Sequence, residues 1–369
     1  EVIFMSTILI KNGTLIDGSG SKRYLADILI ENEKIKKIGK LDLTADKVID
    51  ASGKIVSPGF IDTHSHSDLK VLIEPFVEPK IRQGITTEIL GQDGISMVPL
   101  PEEYVSSWRK NLAGLDGDSD ELKWNWKNTD GYLNLISKTG SGPNELYLVP
   151  HGNIRMEAMG LEARVATKEE LEKMKEITRR EMEAGVAGLS TGLIYIPCAY
   201  AETEELIEIC KVAAEYGRPL VIHQRSEADT MLESMQEVIR IAKESGVKIH
   251  FSHFKICGQK NWKLIEPVIA LLDKCKEEGI NVSYDQYPYV AGSTMLGVIL
   301  PPWAHAGGTD KLIERLKDKS LRQKMKKDII EGIPGWDNFI DFAGFDGIYV
   351  TSVKTDKNQD CIGKNLTEI

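Results

Sequence analysis

The sequence has few cysteines, no excess of positive charge and no long apolar run. Its five cysteines, Cys198, Cys210, Cys257, Cys275 and Cys361, form no Cys-x-x-Cys pair and no disulfide-like spacing. That excludes a small disulfide-built scaffold and fits a reducing compartment. Lys and Arg number 46 against 56 Asp and Glu, for a net charge of -10. Nucleic acid and anionic membrane are therefore not expected partners. No stretch reaches the length of a membrane span. The start, Glu1-Val2-Ile3-Phe4-Met5, has no basic segment ahead of a long apolar core, so no secretory leader is read there and a cytoplasmic location is expected. Internal repeats and low-complexity tracts are absent, and nothing in the sequence reports the oligomeric state. What is present is an ordinary α/β composition: 369 residues, 41% hydrophobic and 28% charged, enough for one large core and a smaller module.

Two grammars divide the chain. Residues 1–57 read as a small β module: β-branched runs at Ser6 to Lys11, Asp27 to Ile30 and Lys34 to Ile38 are separated by turn-forming clusters, and Val48 to Val56 reads as a hairpin. Residues 58–369 alternate strand and helix. Seven apolar strands are expected, at Gly59 to Thr63, Thr86 to Leu90, Leu146 to Pro150, Ala187 to Ser190, Leu220 to His223, Lys248 to Ser252 and Asn281 to Asp285. Helical periodicity marks Thr167 to Ala184, Ala201 to Tyr216, Met231 to Ser245 and Leu264 to Glu278, the first opening on a capping box formed by Thr167 and Glu170. Repeated β-α units of this kind specify a parallel sheet, and seven of them specify a closed TIM-type barrel. The segment Trp108 to Gly142, with Trp124 and Trp126, reads as a loop excursion over one barrel face. Leu312 to Ile330 reads as one or two basic amphipathic helices with a solvated face.

Histidines cluster at the expected strand ends. The run Pro58-Gly59-Phe60-Ile61-Asp62-Thr63-His64-Ser65-His66 puts two imidazoles two residues apart, on the same side of an extended chain. The strand Leu220 to His223 ends in His223, and His253 follows Lys248 to Ser252. The carboxyl ends of barrel strands open onto one face, so His64, His66, His223 and His253 are expected to converge on a cation. Asp93, in the turn after Thr86 to Leu90, is placed to bridge two cations. His250, out of phase with His253, is expected to pack structurally. Asp62 and Asp68 are expected to support the histidines or the loop, Asp62 through a ligand's other ring nitrogen. His151 is placed at the pocket wall and His305 in a surface or lid loop.

These motifs, taken in order, resemble the D-aminoacylase (N-acyl-D-amino-acid deacylase) branch of the amidohydrolase superfamily. The matching segments are Gly59 to Asp68, Gly188-Leu189-Ser190-Thr191-Gly192-Leu193-Ile194-Tyr195, His223-Gln224-Arg225-Ser226-Glu227, Ser252-His253-Phe254-Lys255 and Asp285 to Thr294. The resemblance implies a TIM-type barrel with a small β-sandwich and zinc-dependent hydrolysis of the amide of N-acyl-D-amino acids with one or two Zn²⁺ ions. It matches His64 and His66 to the first metal pair, and His223 and His253 to the other metal position. Tyr195, Lys255, Tyr287 and Ser293 match groups that hold the substrate's carboxylate and carbonyl, with Tyr195 and Tyr287 as hydrogen-bond donors to developing charge. Lys255 has a second possible role as the partner of a neighbouring acid.

Two departures stand out. The branch carries a cysteine in an Asn-Cys-Gly turn where this chain has Gln92-Asp93-Gly94, a harder ligand in place of a thiolate. Thr191 stands where other branches place a bridging modified lysine. The catalytic aspartate of the family, in a Ser-Asp-Gly turn, has no match after residue 294, so the sequence reads as C-terminally truncated and the barrel as lacking its last unit. Two other readings stay open: hydrolysis of cyclic amides or dipeptides, as in dihydroorotases, hydantoinases and isoaspartyl dipeptidases, and a non-catalytic protein that retains the fold.

Overall fold

The computed structural model describes residues 6–369, which separate into one unit up to Phe60 and a second from Ile61 to Ile369. The first unit is a single mixed sheet of β1 (Thr7–Leu15), β2 (Tyr24–Glu31), β3 (Lys34–Gly39), β4 (Lys47–Asp50) and β5 (Ile55–Val56). Strands β1, β2 and β3 pair antiparallel. The expected hairpin from Val48 to Val56 does not form. Strands β4 and β5 both run parallel to β1, one against Ile8–Lys11 and the other against Thr14–Leu15. The turn at Ala51–Lys54, closed by Lys54 N donating to Ala51 O at 2.9 Å, sidesteps along the edge of β1 instead of reversing the chain. Alternation along β1 and β2 places Leu15, Ala26 and Ile28 in a small apolar core.

The second unit is built on a curled parallel sheet whose seven strands lie side by side in sequence order. Its members are β6 (Phe60–Asp62), β7 (Ile85–Leu90), β8 (Asn144–Pro150), β9 (Gly188–Gly192), β10 (Leu220–His223), β11 (Ile249–Phe251) and β12 (Val282–Tyr284). All seven strands read from the sequence are present, in sequence order, as in a (β/α)8 barrel short of one strand. The central strands β9 and β10 are buried along their whole length, as expected for parallel strands covered on both faces. On the outermost strands, Phe60, Ile61 and Tyr284 are exposed. The sheet curls far enough for Thr63 Oγ1, just past β6, to donate to Asp285 Oδ2, just past β12, at 3.3 Å.

Helices Lys168–Glu183, Thr203–Glu215, Met231–Ser245 and Ile265–Glu277 pack their apolar faces on this sheet, the first two through Met174, Ile177, Leu206, Ile209 and Cys210. The capping box is formed: Glu170 N donates to Thr167 Oγ1 and Thr167 N to Glu170 Oε2. The segment read as a loop excursion holds two helices, Val105–Leu112 and Thr129–Thr139, and its Trp108 and Trp126 lie in the core. The basic stretch forms helices Thr309–Lys317 and Lys319–Glu331. Among the described residues no helix is long and apolar enough to cross a membrane.

One turn is held unusually tightly. Gly91 has φ +79°, and a Cβ there would lie 2.1 Å from the Leu148 carbonyl oxygen of the neighbouring strand. Gly246, with φ +76°, has nothing within 4 Å of such a Cβ. Gly246→Ala should cost about 1–2 kcal/mol, the left-handed backbone term alone. Gly91→Ala should cost clearly more, by about 1–3 kcal/mol of added overpacking. Urea unfolding of the two variants checks this, and equal losses would contradict it.

Candidate metal centre

The site begins with alternation in the His-Ser-His-Ser run beyond β6. Ser65 and Ser67 point to the helix-covered face of the sheet, where both hydroxyls donate to Glu88 Oε1, at 2.9 and 3.2 Å. Lys80 Nζ completes that cluster at 2.7 Å from Glu88 Oε1 and also pairs with Asp62. With the serines anchored there, His64 and His66 face the opposite way, their ring centroids 5.2 Å apart.

Both rings meet Asp93. Its Oδ2 lies 3.6 Å from His64 Nε2 and 3.3 Å from His66 Nε2, and its Oδ1 lies 3.6 Å from His253 Nε2. His253 in turn reaches His223, with Nε2 and Nδ1 3.0 Å apart. One carboxylate thus stands between two histidine pairs. Asp93 sits at φ +56°, a left-handed conformation that aspartate tolerates better than most residues. Its turn is clamped from three sides: Gly91 N donates to Asp68 Oδ1, Gly94 N donates to Ser190 Oγ, and Gln92 Nε2 donates to Thr63 O and Ile89 O.

His253 also adopts positive φ, +36°, where a side chain other than glycine is strained. Its backbone N–H donates to Asp285 Oδ1, which holds the strained position. Its Nδ1 lies 3.0 Å from Glu227 Oε1 and 2.9 Å from Lys255 Nζ. These two neighbours demand opposite tautomers. Donation by Lys255 would leave the proton on Nε2, whereas donation from Nδ1–H to Glu227 leaves the Nε2 lone pair facing Asp93. Only the second arrangement can bind a cation at Nε2.

The charges follow from these contacts. Burial opposes a charged Asp93, but His64, His253 and His66 hold its carboxyl well below the usual range. Burial likewise opposes charge on His66 and His253. Asp116 and Asp93 outweigh it at His66, raising it to about 10, and Glu227 with Asp93 outweighs it at His253, raising it to about 9. At His223 burial prevails over Glu227 and the ring falls to about 4. Burial is again outweighed at Glu227, where His223, Lys255 and His253 lower the carboxyl to about 2.

This donor set fits a divalent cation of borderline softness, since imidazole nitrogens and a carboxylate are its customary ligands. His64, Asp93 and His253 present ligand atoms within 4.8 Å of one another, as do His223, Glu227 and His253. Asp93 Oδ1 is buried without a hydrogen-bond donor, a costly state for a carboxylate oxygen unless a cation meets it.

The Amidohydrolase family model matches residues 47–268. The chain belongs to the amidohydrolase family. It is 36% identical over 290 residues to a D-aminoacylase of Alcaligenes xylosoxydans xylosoxydans, covering 78% of this chain and 58% of that protein. Its fold is similar to the crystal structure of an N-acyl-D-glutamate deacylase from Bordetella bronchiseptica, complexed with zinc and a phosphonate mimic of the tetrahedral intermediate. That match has a TM-score of 0.72 and 35% identity, and covers 77% of this chain and 59% of the other. A D-aminoacylase structure with a binuclear metal centre gives a TM-score of 0.73 at 31% identity, covering 87% of this chain and 69% of the other. The chain therefore spans a little under three fifths of the D-aminoacylase it matches in sequence.

Within this amidohydrolase fold the remaining sequence-predicted residues divide. Tyr195 is buried, its ring 5.6 Å from His223 and its hydroxyl 2.9 Å from Thr294 Oγ1. Tyr287 lies 6.5 Å from His253 by ring centroids. Lys255 pairs with a neighbouring acid, its Nζ 2.6 Å from Glu227 Oε2, and sits over the Tyr287 ring. Ser293 is exposed, one residue short of the threonine that holds Tyr195. His250 is structural, bonded to Ser283 Oγ and Asp285 Oδ2 at 2.8 and 2.9 Å.

Two expectations are corrected. Asp62 pairs with Lys80 instead of a ligand's ring nitrogen. His151 does not line the pocket: it is wholly buried, between Thr191 Oγ1 and Glu205 Oε1. Thr191 accordingly faces that buried network, away from a bridging position. His305 is half-buried, with Nε2 3.0 Å from Gly297 O. Glu227 escaped sequence reasoning as a functional residue. Its one signal was its place four residues after His223, too generic to read alone.

His223→Ala or His253→Ala should strip most bound zinc from zinc-loaded protein, measured by elemental analysis against correctly folded wild type. Retention of wild-type content in both would remove these residues from the centre.

Proposed function

We propose that this amidohydrolase cleaves the amide bond of N-acyl-D-amino acids, releasing a carboxylate and a D-amino acid. The observation that carries the reading is the Asp93 carboxylate set between the His64–His66 pair and His253, with His223 beside it. The substrate class rests on the similar proteins, a D-aminoacylase and an N-acyl-D-glutamate deacylase. His64, His66, Asp93, His223 and His253 are the proposed holders of one or two Zn²⁺ ions. When bound, zinc acidifies a water molecule and polarises the substrate carbonyl.

The chain's own residues do the rest of the work assigned to it. Glu227 fixes the tautomer of His253 and, against the opposing effect of burial, keeps Lys255 charged. That ammonium, beside the Tyr287 ring at the edge of the centre, suits the substrate's α-carboxylate. Ser293 is assigned to the same carboxylate. Burial raises the Tyr195 hydroxyl above its ordinary value, so it stays protonated at neutral pH. Held by Thr294, it is a donor for oxyanion charge, a role shared with Tyr287. Proton transfer to the leaving amine is assigned to none of these residues.

A substrate panel tests the reading with the zinc-loaded full-length protein. N-acetyl-D-amino acids should be hydrolysed in preference to hydantoins and β-aspartyl dipeptides, with the D-amino acid detected directly. Calorimetric binding of N-acetyl-D-leucine supplies a second readout, and Lys255→Met should weaken it about tenfold or more. Turnover confined to the cyclic or dipeptide substrates, or no binding and no turnover of any, would overturn it.

A further inference from the structure

Behind His66 lies a second polar cluster that the proposed chemistry does not use. His66, Asp68 and Asp116 each present a ligand-type atom within 4.8 Å of the others. The Asp116 side chain is wholly buried, with Oδ1 3.2 Å from His66 Nδ1. No hydrogen-bond partner of good geometry meets either of its oxygens, Asp68 Oδ2 or His66 Nδ1. Four unpaired buried polar atoms in one place call for an occupant or a role.

We infer that Asp116 is a positioning residue for the metal centre, an inference that rests on the zinc reading above. His66 has two ring nitrogens and Nε2 faces Asp93, 3.3 Å away. For Nε2 to offer a lone pair to a cation, the ring proton must sit on Nδ1, and Asp116 Oδ1 is the anion placed to receive it. A separate cation held by Nδ1 would require the same ring to lose both protons, so the positioning role is the simpler use of these atoms.

The surrounding structure delivers Asp116 to that place. It follows helix Val105–Leu112, and its N–H donates to Leu112 O at 2.9 Å. Two residues on, Asp118 is gripped by Arg109 Nε and Nη2, at 2.9 and 2.8 Å, and by Lys354 Nζ at 3.2 Å. Arg109 thus ties the loop back onto the helix that precedes it. Asp68 makes the companion connection: its Oδ1 takes the Gly91 N–H at 2.9 Å and the Ser96 hydroxyl. The two carboxylates therefore brace both partners of the contact, Asp116 the His66 ring and Asp68 the turn that carries Asp93.

The test is zinc affinity by chelator competition, with the visible spectrum of the Co²⁺-substituted protein as the geometric readout. Asp116→Asn should weaken zinc binding about 10- to 100-fold at unchanged stoichiometry, with altered cobalt bands. Asp116→Glu should recover part of the loss. Arg109→Gln, remote from the centre, should give a smaller loss of the same kind and serves if Asp116→Asn does not fold. Wild-type protein that binds no zinc would fail the metal reading itself. Wild-type binding with unchanged affinity and spectrum in Asp116→Asn or Arg109→Gln would overturn the positioning role alone. Loss of one metal equivalent with the remainder bound as tightly as before would also overturn it, making Asp116 the ligand of a separate ion.

Discussion

A carboxylate that is fully buried and still ionised has to be answered by positive charge close by, and Asp93 sets that requirement for the whole centre. Taking such a group out of water costs several kcal/mol even after relaxation. Here it is answered by His64, His66 and His253 within 3.6 Å. Imidazolium protons and a divalent cation satisfy the same demand, and they compete for the same lone pairs. The histidines have their arrangement because of this anion, and the anion has its place because of the turn around it. Strand β8 leaves room beside that turn only for the hydrogen atom of Gly91.

The scaffold converts a local pattern into a long-range one. Within the His-Ser-His-Ser run, the serines bond Glu88 on one face of the sheet and free the histidines to meet Asp93 on the other. The same division of labour recurs at β9, where Ser190 braces the Asp93 turn while Thr191 joins the buried His151–Glu205 network. At β11, His250 is spent on Asp285, which in turn holds the backbone of His253 in its strained conformation. His64, His66 and His253 are thus placed by neighbours that are themselves fixed by hydrogen bonds. Geometry of this kind is what a metal site needs before the metal arrives.

The sequence disclosed the barrel because every strand of it is a short apolar run with a helix-period segment or a turn after it, as Leu220–His223 shows. It disclosed the four histidines because all of them lie at or just past strand ends. Asp93 was legible from its turn, though the mutual grip of Gly91, Asp68 and Ser190 was not. The misses have a common cause. Glu227 and Asp116 act across sequence separations of 26 and 50 residues from His253 and His66, and no periodicity announces such a contact. The β4–β5 pairing was misread because a turn that sidesteps and a turn that reverses draw on the same residues. His151 was misread because a strand-end histidine looks the same whether it opens onto a pocket or closes onto a glutamate.

The claim at the centre is spatial: His64 and His66 from one strand end and His253 from another share a cation with Asp93, with His223 beside them. Anomalous X-ray diffraction on both sides of the zinc edge, from crystals of zinc-loaded protein, locates that cation directly. The account predicts a peak about 2.0–2.2 Å from an Asp93 carboxylate oxygen and from ring nitrogens of the surrounding histidines. A fully occupied zinc peak whose ligands exclude Asp93, or zinc bound only at surface residues, would contradict it.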